Sequence, residues 1–164
     1  MKEPVEQIGG HMSEHAVLSG ELIYQYVPHV TQVVEYGASA DAVFSGRTQP
    51  PPEGARFDLY LEGPVIGPRL TGTLTGVDYL NFRADGRAEL HIHAEITTDD
   101  GPKIALLATG LATAEKGSSV FQLRENVVLT TNHLDYLWVN QIQLWAAGTV
   151  DVAKGGVDLK AYAV

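Results

Sequence analysis

Short runs of β-forming residues, separated by turn signatures, recur along most of this chain and constrain its fold more than any other feature. The turns are Asp85-Gly86, 99–102, 116–119 and 154–156, all of them rich in Gly and small polar residues. Signatures of this kind favour hairpins between antiparallel strands. Gly also supplies 17 of the 164 residues, above the ~7% average, which agrees with a turn-rich β protein.

Ten segments have strand-like composition or alternation. They are 22–27, 30–36, 56–62, 70–74, 78–83, 88–98, 103–114, 120–130, 141–152 and 157–164. Gly63-Pro64 is expected to end the third segment, and one short helical turn is predicted near 132–140, with Asn132 as its cap. So many short strands in one domain predict a barrel or a sandwich. We favour a single antiparallel β-barrel of about eight to ten strands, because closure removes exposed sheet edges.

The length corresponds to one domain. Residues 1–13 are expected to be disordered or vector-derived, since Gly9-Gly10-His11-Met12 resembles a cloning junction. Residues 14–164 would form the barrel domain, with a Pro-rich loop at 37–54 that contains Pro50-Pro51-Pro52. A loop of that length is typical of lids and partner contacts.

Composition argues against several classes of function. The net charge of −9 disfavours nucleic acid or an anionic membrane as partner. The chain has no apolar run of membrane-spanning length and no secretory signal, so a cytoplasmic location is expected. It has no cysteine, P-loop, dinucleotide fingerprint or Gly-x-Ser-x-Gly elbow. We therefore expect chemistry without a cofactor.

The segment Glu89–Thr97 carries the most chemical information. Strand periodicity places Glu89, His91, His93 and Glu95 on one face and the apolar residues on the other. This polar stripe could be solvated, could line the barrel lumen as an acid/base set, or could ligate a metal. We take His91, His93 and Glu95 as the candidate catalytic residues and expect no metal.

Five further residues are candidates for substrate binding. They are Tyr24, Tyr26, Glu89, Arg83 and Trp138. The tyrosines could hydrogen-bond a ligand oxygen, Arg83 could anchor a carboxylate, and Trp138 could form a pocket wall. In contrast, Asp78 is interpreted as a turn residue. Arg124-Glu125 could place one charge inward on its strand, although an exposed ion pair is more common.

A group of motifs in the centre of the chain resembles a known family. The motifs are Gly63-Pro64 with Gly67, Leu70 and Gly72; Asp78-Tyr79-Leu80; Arg83-Ala84-Asp85-Gly86; Ala88-Glu89-Leu90; Thr98-Asp99-Asp100-Gly101; and 135–140. This pattern is similar to the bacterial and fungal family named domain of unknown function 3237. The resemblance implies a small β-barrel, similar in shape to calycins and allene oxide cyclases, and leaves the chemistry open. His91 and His93 stand where that family's pattern implies Asp and Arg, so site residues are not transferred there.

These observations support three hypotheses. The first is a cofactor-independent enzyme, of isomerase, cyclase or lyase type, which performs acid/base chemistry on a hydrophobic oxygenated metabolite. The alternative is a non-catalytic carrier of a hydrophobic ligand. The third is a structural homo-oligomer, and a dimer or larger assembly is expected in any case.

Overall fold

The computed structural model describes residues 20–164 and consists almost entirely of β-strands. The strands are β1 (Glu21–Tyr26), β2 (His29–Glu35), β3 (Ala55–Ile66), β4 (Gly72–Phe82), β5 (Ala88–Thr98), β6 (Lys103–Thr113), β7 (Val120–Thr130), β8 (Leu144–Asp151) and β9 (Gly156–Ala163). A short helix, α1 (Ala40–Phe44), and a 3₁₀ helix (Leu134–Gln141) complete the fold. The segment 1–13, predicted to be disordered or vector-derived, lies outside the described residues.

The strands form one antiparallel sheet that closes on itself. Neighbours follow the order β1-β9-β8-β7-β6-β5-β4-β3-β2, and β1 also pairs with β3. Eight strands therefore form a closed barrel, and β2 is an additional strand that pairs with residues 57–62 of β3. The predicted antiparallel barrel is confirmed. No helix among residues 20–164 has the length and hydropathy needed to cross a membrane.

Two strand boundaries differ from the prediction. Strand β3 continues through Gly63-Pro64 to Ile66. The carbonyl of Pro64 accepts a hydrogen bond from the Val27 N–H at 3.4 Å. The N–H that proline lacks would point to the same side, where β1 ends and β2 begins, so the strand tolerates its absence. The segments 70–74 and 78–83 are parts of one strand, β4. Gly76 continues that strand where a Cβ atom would come within 2.4 Å of the Ala94 side chain.

The Pro-rich segment 37–54 is only partly a loop. It contains α1, whose N-cap is Ser39, with the hydroxyl accepting from Ala42 at 3.3 Å. Phe44 at the end of α1 packs against the rings of Phe57, Phe82 and Phe121. This segment thus fills one end of the barrel with an aromatic cluster.

The helical turn predicted near 132–140 is confirmed as the 3₁₀ helix, although His133 rather than Asn132 caps it. Asn140 donates to the carbonyl of Thr131 at 2.8 Å and accepts from its N–H at 2.9 Å. Val139 is fully buried in the core. The 3₁₀ helix therefore closes the end of the barrel opposite Phe44.

Candidate active site

A cavity with a volume of about 110 Å³ lies inside the barrel. Its walls are largely aliphatic, and the apolar residues include Leu74, Leu90, Ile92, Leu106, Leu123 and Leu159. Four side chains with polar groups also line it, namely Tyr24, Tyr26, Asp78 and Glu125. An apolar cavity with a few convergent polar groups is the usual form of a small-molecule site.

Asp78 enters the cavity from the middle of β4, between Leu59 of β3 and Ile92 of β5. Its side chain is buried, and Oδ1 accepts a hydrogen bond from the backbone N–H of His91 at 2.9 Å. Burial raises the pKa of Asp78 to about 7, although this hydrogen bond and the positive charge of Arg56 oppose the rise. Asp78 can therefore gain or lose a proton near neutral pH.

Glu125 enters from β7, where it faces Gly110 of β6 and Ala146 of β8. These small neighbours leave room for a carboxyl group inside the barrel. The residue is only 5% exposed, and its carboxyl forms no hydrogen bond within the described part of the chain. Burial, together with the negative charge of Asp78, raises the pKa of Glu125 to about 8. The negative charge of Asp78 thus favours the neutral form of Glu125.

Tyr24 and Tyr26 come from β1 and are both buried. A register shift between Leu22 and Tyr24 allows Ile23 and Tyr24 to be buried although they are adjacent. Burial and the charge of Glu125 raise the pKa of both phenols well above their usual range. The Tyr26 hydroxyl has no hydrogen-bond partner among residues 20–164, which leaves a neutral donor free for a ligand oxygen.

The predicted catalytic stripe on β5 lies outside this cavity. His91, His93 and Glu95 are exposed on the outer face, whereas Leu90, Ile92 and Ile96 point into the barrel. The inward-facing interpretation of this stripe is therefore wrong. The apolar set fills the lumen because burying the charged set there would lose its hydration without partners.

On the outer surface, the stripe forms local contacts. His91 Nε2 and His93 Nε2 lie 3.0 Å apart, Glu95 pairs with Lys103, and Glu89 pairs with Arg83. Within residues 20–164, no group of three or more His, Asp or Glu side chains is arranged to hold a metal ion. The catalytic assignment of His91, His93 and Glu95 stays a prediction, but one without support from the cavity.

The candidate binding residues divide between the two locations. Tyr24 and Tyr26 line the cavity as proposed, whereas Glu89 and Arg83 are exposed beside the 83–88 turn. Trp138 is on the 3₁₀ helix, and the guanidinium of Arg69 lies 3.8 Å from its ring centroid. It therefore covers the end of the barrel and does not line the cavity.

The sequence analysis missed Asp78 and Glu125, although a signal for both was present. In β7, Phe121, Leu123, Val127 and Leu129 are buried and lie an even number of residues apart, and Glu125 occupies the same phase as these apolar residues. Asp78 likewise shares the phase of Leu74 and Leu80 in β4. A single carboxyl in an otherwise apolar inward set is the pattern that identifies a buried ionisable group.

Comparison with known proteins identifies the family. The sequence model of the protein family of unknown function DUF3237 matches residues 57–164, which include Asp78 and Glu125. The chain belongs to the DUF3237 family. No curated protein matches the chain.

Solved structures extend the comparison. A protein with unknown function from Clostridium acetobutylicum aligns with a TM-score of 0.71 and 21% identity, covering 88% of this chain and 97% of that one. A β-barrel-like protein from Acinetobacter baumannii gives a TM-score of 0.67 and 22% identity, covering 88% and 94%. An enzyme from Penicillium herquei gives 0.55 and 21%, covering 87% and 94%. At these sequence identities, the structural similarity shows that this DUF3237 protein has the same fold as the three proteins.

Proposed function

We propose that this DUF3237 protein is a cofactor-independent enzyme that transfers protons on a hydrophobic, oxygenated small molecule held inside the barrel. The observation that carries the proposal is the pair Asp78 and Glu125, buried together in an apolar cavity beside Tyr24 and Tyr26. Two carboxyl groups whose pKa values lie near neutrality can act as base and acid in turn. The description of the structurally similar Penicillium herquei protein as an enzyme agrees with this proposal.

The placement of the four groups supports specific roles. Asp78 accepts a hydrogen bond from the His91 N–H and lies near the positive charge of Arg56, which favours its ionised form, so it removes a proton from a carbon next to a carbonyl group. The Tyr26 hydroxyl donates to the carbonyl oxygen as negative charge develops on it. Glu125, which holds its proton to higher pH, donates that proton to a second carbon or to a departing oxygen. Exchange with solvent then returns Asp78 to its ionised form and Glu125 to its protonated form.

These steps fit isomerisation, cyclisation, or the addition and elimination of water. All of these reactions need a base, an acid and a stabilised oxyanion, and none needs a redox group. Because the base must be ionised and the acid protonated, we expect activity to be highest between about pH 7 and 8.

The direct test is deuterium exchange. The protein is incubated in D₂O with small enolisable ketones such as cyclohexanone and 2-cyclohexenone, and deuterium next to the carbonyl is measured by NMR. We expect exchange next to the carbonyl above the buffer rate, reduced about 10²-fold or more in Asp78→Asn, and delivery of deuterium to the second, remote carbon of 2-cyclohexenone reduced likewise in Glu125→Gln. Glu89→Gln, which makes the same change on the outer face, is the matched control and should exchange like the unmodified protein.

The carrier hypothesis gives a different result in the same experiment. A carrier would bind these ketones in the cavity, as shown by shifted NMR signals, without any exchange above buffer. That outcome, or equal exchange in all variants, would rule out the proposed catalytic roles.

A further inference from the structure

A packed segment lies at each end of the barrel. Phe44 closes one end, with ring centroids 5.6, 5.2 and 6.1 Å from those of Phe57, Phe82 and Phe121. The 3₁₀ helix closes the other through buried Val139. Neither plug lines the cavity. The barrel wall, in contrast, offers a route to the cavity.

The wall has an unpaired stretch on one side, which we name the seam. β1 pairs with β9 up to Tyr26 and Leu159, and the Gln25 side chain donates to Asp158 at 2.8 Å just beyond. The chain then passes Pro28 into β2, which pairs with β3 alone among the described residues. Residues Gly156–Asp158 of β9 pair only with β8 there. The seam is thus the gap between β2 and the start of β9.

The cavity reaches the seam through apolar side chains. Val30 of β2, together with Val150 and Val157 of the β8–β9 hairpin, lines the cavity, yet Val30 is 46% exposed. The lining also includes Asp78 and Glu125, which are only 4% and 5% exposed. The cavity therefore has a buried polar part and an open apolar part.

The apolar surface continues outward along β2. Val30 and Val33 lie directly opposite Leu61 and Leu59 of β3, so all four side chains share one face. Leu59 and Leu61 line the cavity, while Val33 is 43% exposed beyond it. We name these four residues the β2 strip. It extends the cavity wall into solvent without a break in apolar character.

The size of the cavity makes this strip relevant to the ligand. About 110 Å³ is less than the ~150 Å³ of a cavity known to hold benzene. The enclosed part therefore accommodates no more than about one ring. Any larger ligand must place the remainder in the seam, where the exposed surface is apolar.

We propose that the ligand has two parts: an uncharged, oxygenated head of about one ring, held beside Tyr26, Asp78 and Glu125, and an apolar tail that leaves through the seam and covers the β2 strip. An anionic head would place a second negative charge beside the ionised Asp78 in an apolar cavity. Calling this ligand the substrate rests on the proposed function, whereas its mode of binding does not.

Binding of 4-alkylphenols tests the proposal. The full chain is titrated with phenol, 4-ethyl-, 4-butyl- and 4-hexylphenol in a calorimeter. We expect the Kd to fall about two- to fourfold per CH₂ group through the whole series, since burying a CH₂ group contributes ~0.8 kcal/mol. A closed cavity would give an optimum at a short chain and weaker binding beyond it, which would overturn the proposal.

A charge on the β2 strip locates the tail. Val33→Asp should leave phenol binding unchanged and abolish most of the gain from ethyl to hexyl. Val128→Asp is the matched control, because Val128 is 41% exposed on β7 and does not line the cavity. If Val33→Asp fails to fold, Val33→Ser should show the same loss in smaller degree. An unchanged series in a folded Val33 variant would overturn the proposal.

Two further results distinguish this proposal from dimer formation at the β2 strip and from the proposed catalytic function. The alternative occupant of the β2 strip is a second copy of the chain. In that case, light scattering would show a lower molecular mass for Val33→Asp, while the phenol series would stay the same. This result would contradict the proposed tail. The expected phenol series without any deuterium exchange would retain the two-part ligand and overturn only the catalytic function.

Discussion

The two faces of the barrel wall carry similar residue types in opposite environments. On the outer face, Glu89 and Glu95 are exposed and lie next to Arg83 and Lys103. In the lumen, Glu125 is buried with no cation beside it among residues 20–164, and it shares the cavity with a second carboxyl. Exposed ion pairs contribute little to stability or chemistry, because water screens them. A buried carboxyl instead has a high pKa and a labile proton, so environment rather than residue type selects the candidate site.

This comparison also explains why such a site costs stability. An apolar residue at position 125 would fill the lumen, whereas Glu125 introduces a group that must lose its hydration to be there. A group retained at that cost is more readily explained by function than by packing. The outer stripe has no such cost, because its members remain in contact with water.

The largest contrast between the faces should appear when side chains on one strand are truncated. Ile96 is fully buried and His93 is exposed, and both belong to β5. Ile96→Ala should lower the free energy of unfolding by about 2–5 kcal/mol, because it leaves a cavity in the core. His93→Ala should change it by about 0.5 kcal/mol or less.

Urea unfolding followed by circular dichroism measures both variants. Equal losses, or the larger loss in His93→Ala, would mean that the assigned faces of β5 are reversed. Such a result would restore His91 and His93 as lumenal candidates.

The next contrast concerns the pH dependence of stability. The folded-state pKa of Glu125, about 8, lies above its ordinary value of 4.5, so between these pH values the folded protein holds a proton that the unfolded chain has lost. Stability therefore falls as pH rises through this window, by on the order of 3 kcal/mol for a group this strongly shifted. Glu125→Gln should remove a large part of that fall.

Unfolding in urea at pH 5, 6, 7 and 8 would measure this slope. Glu95→Gln is the control, since it removes an exposed carboxyl and should keep the slope of the unmodified protein. A slope that is the same in Glu125→Gln would show that Glu125 is hydrated in the folded state, against the burial described above.

The fold could be predicted from the sequence because its information is local. Alternation in 88–98 and 120–130, with Asp-Gly and Gly-rich turns, predicts antiparallel strands joined by hairpins. Two local rules failed, namely that Pro ends a strand and that Gly separates two strands, because contacts with a neighbouring strand decide both cases. Pro64 is accommodated because its missing N–H points at the β1–β2 break, and Gly76 continues β4 because Ala94 lies close to it.

The site was harder to predict because alternation separates two faces without saying which one is the lumen. The Glu89–Thr97 pattern correctly divided His91 and His93 from Leu90 and Ile92, but it left open whether the polar set was solvated or lumenal. Tyr24 and Tyr26 could be predicted as binding residues because a tyrosine has an apolar ring and a polar hydroxyl group, and can therefore lie on either face of the barrel wall. The proximity of Asp78 and Glu125 depends on the closure of the barrel, which no local pattern encodes.

The smallest expected effect belongs to the ion pairs of the outer face. Glu95 and the amino group of Lys103 are both about half exposed, so Glu95→Gln should lower stability by less than ~1 kcal/mol. Salt should reduce even this difference, because the Debye length at 1 M salt is about 3 Å. Urea unfolding of the unmodified protein and of Glu95→Gln at 0.05 and 1 M NaCl measures this difference in the free energy of unfolding. A loss that is larger than that of Ile96→Ala, or one that persists in high salt, would mean that the stripe is shielded from water, and the distinction between the two faces would no longer identify the site.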